Sequence, residues 1–197
     1  MKKDTGFTLT ELMITLAIIS ILLMVGVPSL KTFMQGNQLV AATNELVSAL
    51  HVARSEAIKL NRRVTVCESS DGALCDTTGS WNNGWIVFVD PNTGLASTGA
   101  ACTATNTNTD CLLRVHDGFT DNQLTVSGVD PNSAVVSSFT FTSRGLPKAV
   151  GGAPQSGVFS LCSLDSSATS TVASRAVVLS LSGRVRVSDN PAVISCP

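Results

Sequence analysis

The chain has 197 residues, of which 44% are apolar and 14% charged, and its formal net charge is −1. This length is typical of one folded core and argues against several domains. The near-zero net charge excludes a uniformly basic or acidic chain, but the charges are segregated. Residues 31–63 carry five Lys or Arg against two Asp or Glu, residues 64–143 carry one against eight, and residues 144–197 carry five against two. Basic ends around an acidic middle fit either a docking or anion-binding surface or solvated loops.

The N-terminus combines a short basic leader with a long apolar segment. The leader ends at Gly6, and a nearly unbroken apolar run continues to Pro28. A secretory signal is cleaved after its apolar core, whereas cleavage after Gly6 would leave this segment on a chain that begins with Phe7. Glu11 lies inside the segment, where a carboxylate costs about 2.5 to 3.5 kcal/mol at mid-membrane and therefore needs a partner. A plain signal anchor that tolerates Glu11 is the alternative interpretation.

One long helix is predicted from Phe7 to about Leu60. Residues 9–28 can span about 30 Å of hydrocarbon at about 1.5 Å per residue, and Gly26 and Pro28 predict a kink where the span ends. Further on, apolar residues recur at steps of three and four: Leu39, Ala42, Leu46, Ala49, Leu50, Ala53, Ala57 and Leu60. This amphipathic pattern predicts a helix that packs on another layer.

Strands are predicted for that layer. The segments 63–68, 85–90, 112–116, 135–142, 158–163 and 175–187 are rich in Val, Thr and Phe and are separated by turn signals such as Asp130-Pro131-Asn132. The segment 96–110 is of low complexity and is interpreted as an exposed loop. The predicted class is α+β, with the helix packed on an antiparallel sheet. We therefore divide the chain into a leader (1–6), a membrane-spanning part (7–30), an amphipathic helix (31–62) and a β-rich head (63–197).

Six cysteines fall into three neighbouring pairs along the chain, and none has Cys-x-x-Cys spacing. The N-terminal signal directs the head to an oxidising compartment, where disulfides persist. The simplest pairing joins neighbours: Cys67 to Cys75, Cys102 to Cys111 and Cys162 to Cys196. Six cysteines allow fifteen pairings, so this one is a hypothesis.

Several of these motifs resemble a known group of proteins. Gly6, Phe7, Thr8, Leu9 and Glu11 match the cleavage motif of type IV pilin-like proteins. The segments 54–58 with 63–67, 84–90 and 183–187 are similar to the GspH/FimT/FimU group of minor pilins and pseudopilins, so the resemblance covers nearly the whole chain.

This resemblance implies cleavage by a prepilin peptidase after Gly6, methylation of Phe7, and pairing of Glu11 with the N-terminal amine of a neighbouring subunit. It also implies an anchor in the bacterial inner membrane with a periplasmic head, and later a scarce place in a pilus or pseudopilus beside major and minor pilins. Within the group, some members prime pilus assembly and some serve type II secretion. FimT-like members bind DNA during natural transformation.

Arg184 and Arg186 are the strongest candidate binding residues. Residues two apart on a strand point to one face, so both guanidiniums are expected side by side in solvent while Val185 and Val187 are buried. Arg binds phosphate oxygens through several donors, and sequence-independent capture of double-stranded DNA needs little more. The segment from Gly183 to Arg186 also matches the motif associated with DNA binding in FimT-like members. Arg175, Arg144 and Lys148 could widen the patch; the alternative is a solvated strand after a turn at Ser182 and Gly183.

Other candidates have simpler interpretations. Arg62 and Arg63 suit the negative C-terminal end of a helix, and Trp85 is expected in the core rather than stacked on bases. A calcium site among Asp71, Asp76, Asp110, Asp117 and Asp121 lacks EF-hand spacing. His51 and His116 are the only histidines and no catalytic motif accompanies them, so neither an enzyme nor a cofactor is expected.

Overall fold

The structure is a computed structural model that describes residues 7–76, 80–91, 99–103, 109–119, 124–149, 151–164 and 171–196. It divides into two compact units after Asn37. The helix α1 (Leu9–Leu60) supplies residues to both of them.

The N-terminal unit is an apolar helix. The large side chains of this part of α1 are exposed, and within the described residues α1 is long and apolar enough to cross a membrane. Helical structure continues through Pro28 without a break. At the helix start, the Glu11 carboxylate accepts hydrogen bonds from the Thr8 N–H (3.0 Å) and the Thr8 hydroxyl (2.8 Å), and the Glu11 N–H donates to Thr8 Oγ1 (3.3 Å). This reciprocal arrangement is a capping box, which satisfies N–H groups that have no partner within the helix.

The C-terminal unit contains two antiparallel sheets and the rest of α1. Sheet A has the order β3-β2-β1-β5-β6. Its strands are β1 (Val64–Glu68), β2 (Gly84–Val89), β3 (Cys111–Asp117), β5 (Ser138–Phe141) and β6 (Pro147–Lys148). Sheet B has the order β4-β7-β8-β9. Its strands are β4 (Leu124–Val129), β7 (Gly157–Leu164), β8 (Thr171–Leu179) and β9 (Val185–Ser188).

One core joins α1 to both sheets. The helix contributes Leu39, Ala42, Leu46, Ala49, Leu50, Ala53 and Ala57, all buried, as its amphipathic pattern predicts. They pack with Val64 and Val66 of sheet A and with Phe159 and Leu161 of sheet B. The predicted α+β class is confirmed.

Sheet A is also covered on its other face. Cross-strand partners share a face of a sheet, and Cys67 pairs with Ile86 while Thr65 pairs with Phe88. Cys67, Ile86 and Phe88 form a second small cluster, against which Cys75 packs. Disulfides join Cys67 to Cys75, Cys102 to Cys111 and Cys162 to Cys196, the same three pairs that the order of the cysteines suggests.

The strand predictions need three corrections. The segment 175–187 is two strands, because a turn at 180–184 separates β8 from β9. The strand predicted at 135–142 begins only at Ser138. The strands β4 and β6 were not predicted: β6 has two residues, and the apolar alternation of β4 is interrupted by Gly128. A side chain there would approach Trp81 Nε1 to 3.0 Å, so packing requires the glycine.

Glu68 is an acidic residue in this apolar setting. It is buried and pairs across the sheet with Trp85. Burial, and secondarily repulsion from Asp76, raise the pKa of the Glu68 carboxyl to about 7. The folded state therefore holds the Glu68 proton more tightly than the unfolded state, and protonation of Glu68 stabilises the fold. This stabilisation is complete below the ordinary pKa of 4.5. It is lost as the pH rises through about 7.

We expect Glu68→Gln to raise the free energy of unfolding at pH 8, by at most about 3 kcal/mol, and to have little effect at pH 4. Chemical denaturation across this pH range measures the difference. Asp117→Asn, at an exposed position, controls for the change in net charge. An equal effect of Glu68→Gln at both pH values would show that burial of this carboxylate does not govern the pH dependence.

Candidate functional site

Two turns of the C-terminal unit have the same construction. One connects β5 to β6 and begins at Thr142; the other connects β8 to β9 and begins at Ser180. In each turn, the Thr or Ser forms hydrogen bonds with the residue four positions later in the chain. The residue three positions after the Thr or Ser is a glycine with positive φ: Gly145 (φ 72°) in the first turn and Gly183 (φ 74°) in the second. Only glycine adopts this conformation without steric cost. We call these turns, 142–146 and 180–184, the double turn.

The backbones of the double turn touch each other. A Cβ atom at Gly183 would lie 2.2 Å from the Gly145 carbonyl oxygen, closer than any real side chain can approach. The sequence motif predicts that Gly183 contributes to binding; in the structure, its lack of a side chain allows this backbone contact. Arg54 of α1 lies against the same point: its Nη1 donates to the Gly183 carbonyl at 2.8 Å and its Nη2 to the Ser182 carbonyl at 3.3 Å.

Three arginines are exposed on and beside the double turn. Arg144 belongs to the first turn, Arg184 ends the second, and Arg186 follows on β9. Ion pairs among the described residues involve Lys59, Arg63, His116 and Arg175, and none involves these three arginines. Their charges are therefore available to an anion.

Two details of the arginine prediction are wrong. Arg184 lies in the turn rather than in the strand, because β9 begins at Val185. Val187 is not buried: it is 42% exposed, since β9 is the edge strand of sheet B. Val185 is partly buried against the core.

Arg175 does not join the patch. Arg175 is on β8 and pairs with Leu161 of β7, which is buried in the core. Its guanidinium lies 3.7 Å from the Asp189 carboxylate. Arg186 pairs with Val178 of β8 and therefore lies on the same face of sheet B as Val178. Side chains alternate between the two faces along β8, so Val178 and Arg175 point to opposite faces. The two arginines therefore point to opposite faces of sheet B. Lys148 is half-buried on β6, in the same hairpin as Arg144.

The C-terminal segment covers part of the sheet face that carries Arg186. The Cys162–Cys196 disulfide fastens it to β7, and the Ser195 N–H donates to Ser160 Oγ at 2.9 Å. Ser160 is 1% exposed as a result.

Among the described residues, aromatic side chains do not provide a surface for base stacking near the double turn. Trp81, Trp85, Phe139, Phe141 and Phe159 are all buried. Trp85 stacks on His116 with ring centroids 3.7 Å apart, and Trp81 meets Phe159 edge to face. The prediction that Trp85 belongs to the core is confirmed, and a nucleic acid at the double turn would be held through its backbone.

The remaining candidates have local partners. Arg63 lies 3.7 Å from the buried Asp90 carboxylate, and His116 Nε2 lies 2.5 Å from the Glu45 carboxylate. Within the described part of the chain, no group of three or more His, Cys, Asp or Glu residues is placed to hold a metal ion. Asp121, one of the acidic residues considered for calcium, lies outside the described residues.

Arg54 is the residue of this site that sequence reasoning missed. Its position on a polar face of the amphipathic helix indicates only a solvated cation. A Ser or Thr followed three residues later by Gly occurs in both turns, at 142–145 and 180–183, but the same spacing at 125–128 lies within β4, so it does not by itself indicate a turn. It does not reveal that the two turns meet.

A capped apolar N-terminal helix, an amphipathic continuation of it packed on antiparallel sheets, and a disulfide-fastened C-terminus together define a pilin-like protein. The family model "Type II transport protein GspH" matches residues 42–183, and the model for the prokaryotic N-terminal methylation motif matches residues 1–27. The chain belongs to the GspH family and is a minor pilin of the GspH/FimT/FimU type.

A solved structure agrees with this assignment. The crystal structure of the type IV minor pilin FimU from Pseudomonas aeruginosa PAO1 is 26% identical, with a TM-score of 0.52, over 79% of this chain and 92% of FimU. A second crystal form of FimU has a TM-score of 0.48 over 75% and 90% of the two chains. No curated protein matches the sequence.

Proposed function

We propose that this minor pilin binds double-stranded DNA without sequence preference through the arginines of the double turn, as a scarce filament or tip subunit during DNA uptake. Before assembly it is anchored in the bacterial inner membrane by residues 7–30, with its head in the periplasm. The prepilin peptidase cleaves after Gly6 and Phe7 is methylated; other major and minor pilins are its partners in the filament.

One observation carries the DNA proposal: Arg144, Arg184 and Arg186 are exposed at one place in the fold and take part in no ion pair among the described residues. Guanidinium groups suit phosphate oxygens because they present planar, paired donors. Contacts to phosphates position a protein on DNA without reading its sequence. The acidic segment 64–143 would repel DNA and so confine contact to the double turn.

We expect the head, produced without residues 1–34, to bind a short mixed-sequence duplex weakly, with a Kd on the order of 10⁻⁴ to 10⁻⁶ M. Three phosphate contacts give a slope of log K against log salt of about −2.7. Arg184→Gln with Arg186→Gln should reduce the slope to about −0.9 and leave Tm nearly unchanged, because exposed side chains contribute little to folding. Fluorescence anisotropy over a salt series measures both quantities.

The matched control is Arg114→Gln with Arg175→Gln. It changes the net charge equally, but Arg114 lies on β3 of sheet A and Arg175 points to the opposite face of sheet B from Arg186. This control should retain the wild-type slope. If the wild-type head shows no salt-dependent binding, or if both double variants bind alike, the DNA proposal is rejected.

The second candidate is a structural subunit that joins or primes a filament tip, or a pseudopilin of type II secretion, without DNA binding. The likeness to FimU and the match to the GspH family model support a minor pilin or pseudopilin, which this candidate and the first share. Under this hypothesis the arginines would contact a neighbouring subunit. Loss of filament assembly in the Arg184 and Arg186 variant, with no DNA binding by the wild type, would support it.

A further inference from the structure

One side chain of α1, that of Arg54, contacts both turns of the double turn. The Arg54 guanidinium donates to two successive carbonyls of the second turn, those of Ser182 and Gly183. The same side chain lies against the first turn, because a Cβ at Gly145 would be 3.0 Å from Arg54 Nε and 3.4 Å from Arg54 Cγ. Arg54 thus contacts both hairpins at the place where their backbones meet.

The chemistry of arginine suits this position. Its guanidinium is planar and carries five donors in a rigid fork, so it can hold two neighbouring carbonyls at once. Lys59, which is further along α1, pairs instead with the carboxylate of Glu56. No carboxylate among the described residues forms an ion pair with Arg54.

The contact between the turns lies next to two of the exposed arginines. Arg144 and Arg184 are each adjacent in sequence to a glycine of the contact, so each Cα is about 3.8 Å from that of its glycine. They belong to different hairpins of different sheets. Without the Arg54 hydrogen bonds, the two turns would be less ordered relative to each other, and a ligand that engages both arginines would have to order them on binding.

We propose that Arg54 is a positioning residue that holds the two turns together, so that Arg144 and Arg184 bind one DNA backbone as a single unit. This inference rests on the proposed function for its ligand. The fastening itself can be measured without DNA. Arg54 acts through the backbone of the double turn and not by contact with the phosphates.

The test uses the full chain in detergent micelles and the variants Arg54→Met and Arg54→Lys. In Arg54→Met, amide hydrogen exchange in both 142–146 and 180–184 should be about tenfold faster, the effect of losing a hydrogen bond from a charged donor. Affinity for a mixed-sequence duplex should fall about tenfold, and the salt slope should lessen by about 0.9, or one phosphate contact. Arg54→Lys should be intermediate, because an ammonium cannot reproduce the fork.

Lys59→Met is the control for loss of a cation from α1, since the Lys59 side chain is 71% exposed. It should leave exchange in the double turn and the salt slope unchanged. If Arg54→Met does not speed exchange in both turns, the fastening is refuted whatever the DNA result. If exchange rises but affinity and slope match the wild type, positioning is refuted while DNA binding stands. Absence of DNA binding by the wild type refutes the proposed function, and with it the ligand named here.

Discussion

Glu11→Ala is expected to remove this subunit from assembled filaments while the head remains folded. An unpaired carboxylate at mid-membrane costs about 2.5 to 3.5 kcal/mol. Pairing with the N-terminal amine of a neighbour would recover energy of that size, about two orders of magnitude in the equilibrium constant for assembly. Quantitative immunoblotting of sheared filaments against the membrane fraction measures incorporation.

The capping box complicates this variant, because Glu11 also bonds to Thr8 at the start of α1. Two further variants separate the roles. Glu11→Gln keeps a residue suited to the capping box but removes the charge, whereas Thr8→Ala removes the cap and keeps the charge. We expect Glu11→Gln to fail like alanine and Thr8→Ala to assemble. The reverse result would assign the requirement to the helix cap and contradict charge pairing.

Gly183→Ala is expected to destabilise the head more than any other single substitution proposed for the double turn. A positive φ costs an L residue about 1 to 2 kcal/mol, and here the new Cβ would also meet the Gly145 carbonyl oxygen at 2.2 Å. The backbone of one turn must move, so we expect a total of about 3 kcal/mol or more. For a domain of this size, that lowers Tm by about 6 to 12 °C.

Gly152→Ala is the matched control. Gly152 also has a positive φ, 86°, but a Cβ there would meet nothing within 4 Å. It should show only the conformational cost of about 1 to 2 kcal/mol. Differential scanning calorimetry of both variants isolates the contribution of the contact between the turns. Equal decreases in Tm would mean that the turns are not packed as described.

The prediction of the fold depended on patterns with a strong local cause. Buried residues of α1 such as Leu46 and Leu50 recur at helical spacing, and that spacing is visible in the sequence. The strands that were predicted carry continuous or alternating apolar residues, such as Val64 and Val66. The strand β4 was missed because Gly128 interrupts its apolar pattern. A glycine is needed at this position because a side chain would meet Trp81, a residue distant in the sequence.

The candidate site was predictable only in part. The motif formed by Gly183, Arg184 and Arg186 lies within four successive residues, so it could be identified directly in the sequence. Arg175 was wrongly included in the patch of exposed arginines. The face on which a strand residue lies depends on how the strands pair, and here Arg175 pairs with Leu161 while Arg186 pairs with Val178.

The sequence by itself determined the family features of this protein: the cleavage motif before Phe7, the apolar segment that carries Glu11, the amphipathic spacing of α1 and the basic C-terminal third. These are local properties, since each depends on residues a few positions apart. Only the tertiary structure decided that Gly145 and Gly183 touch and that Arg54 donates to the second turn. Arg54 and Gly183 are 129 residues apart in the chain. Such a contact arises from the packing of a helix and two sheets around one core, which no local pattern encodes.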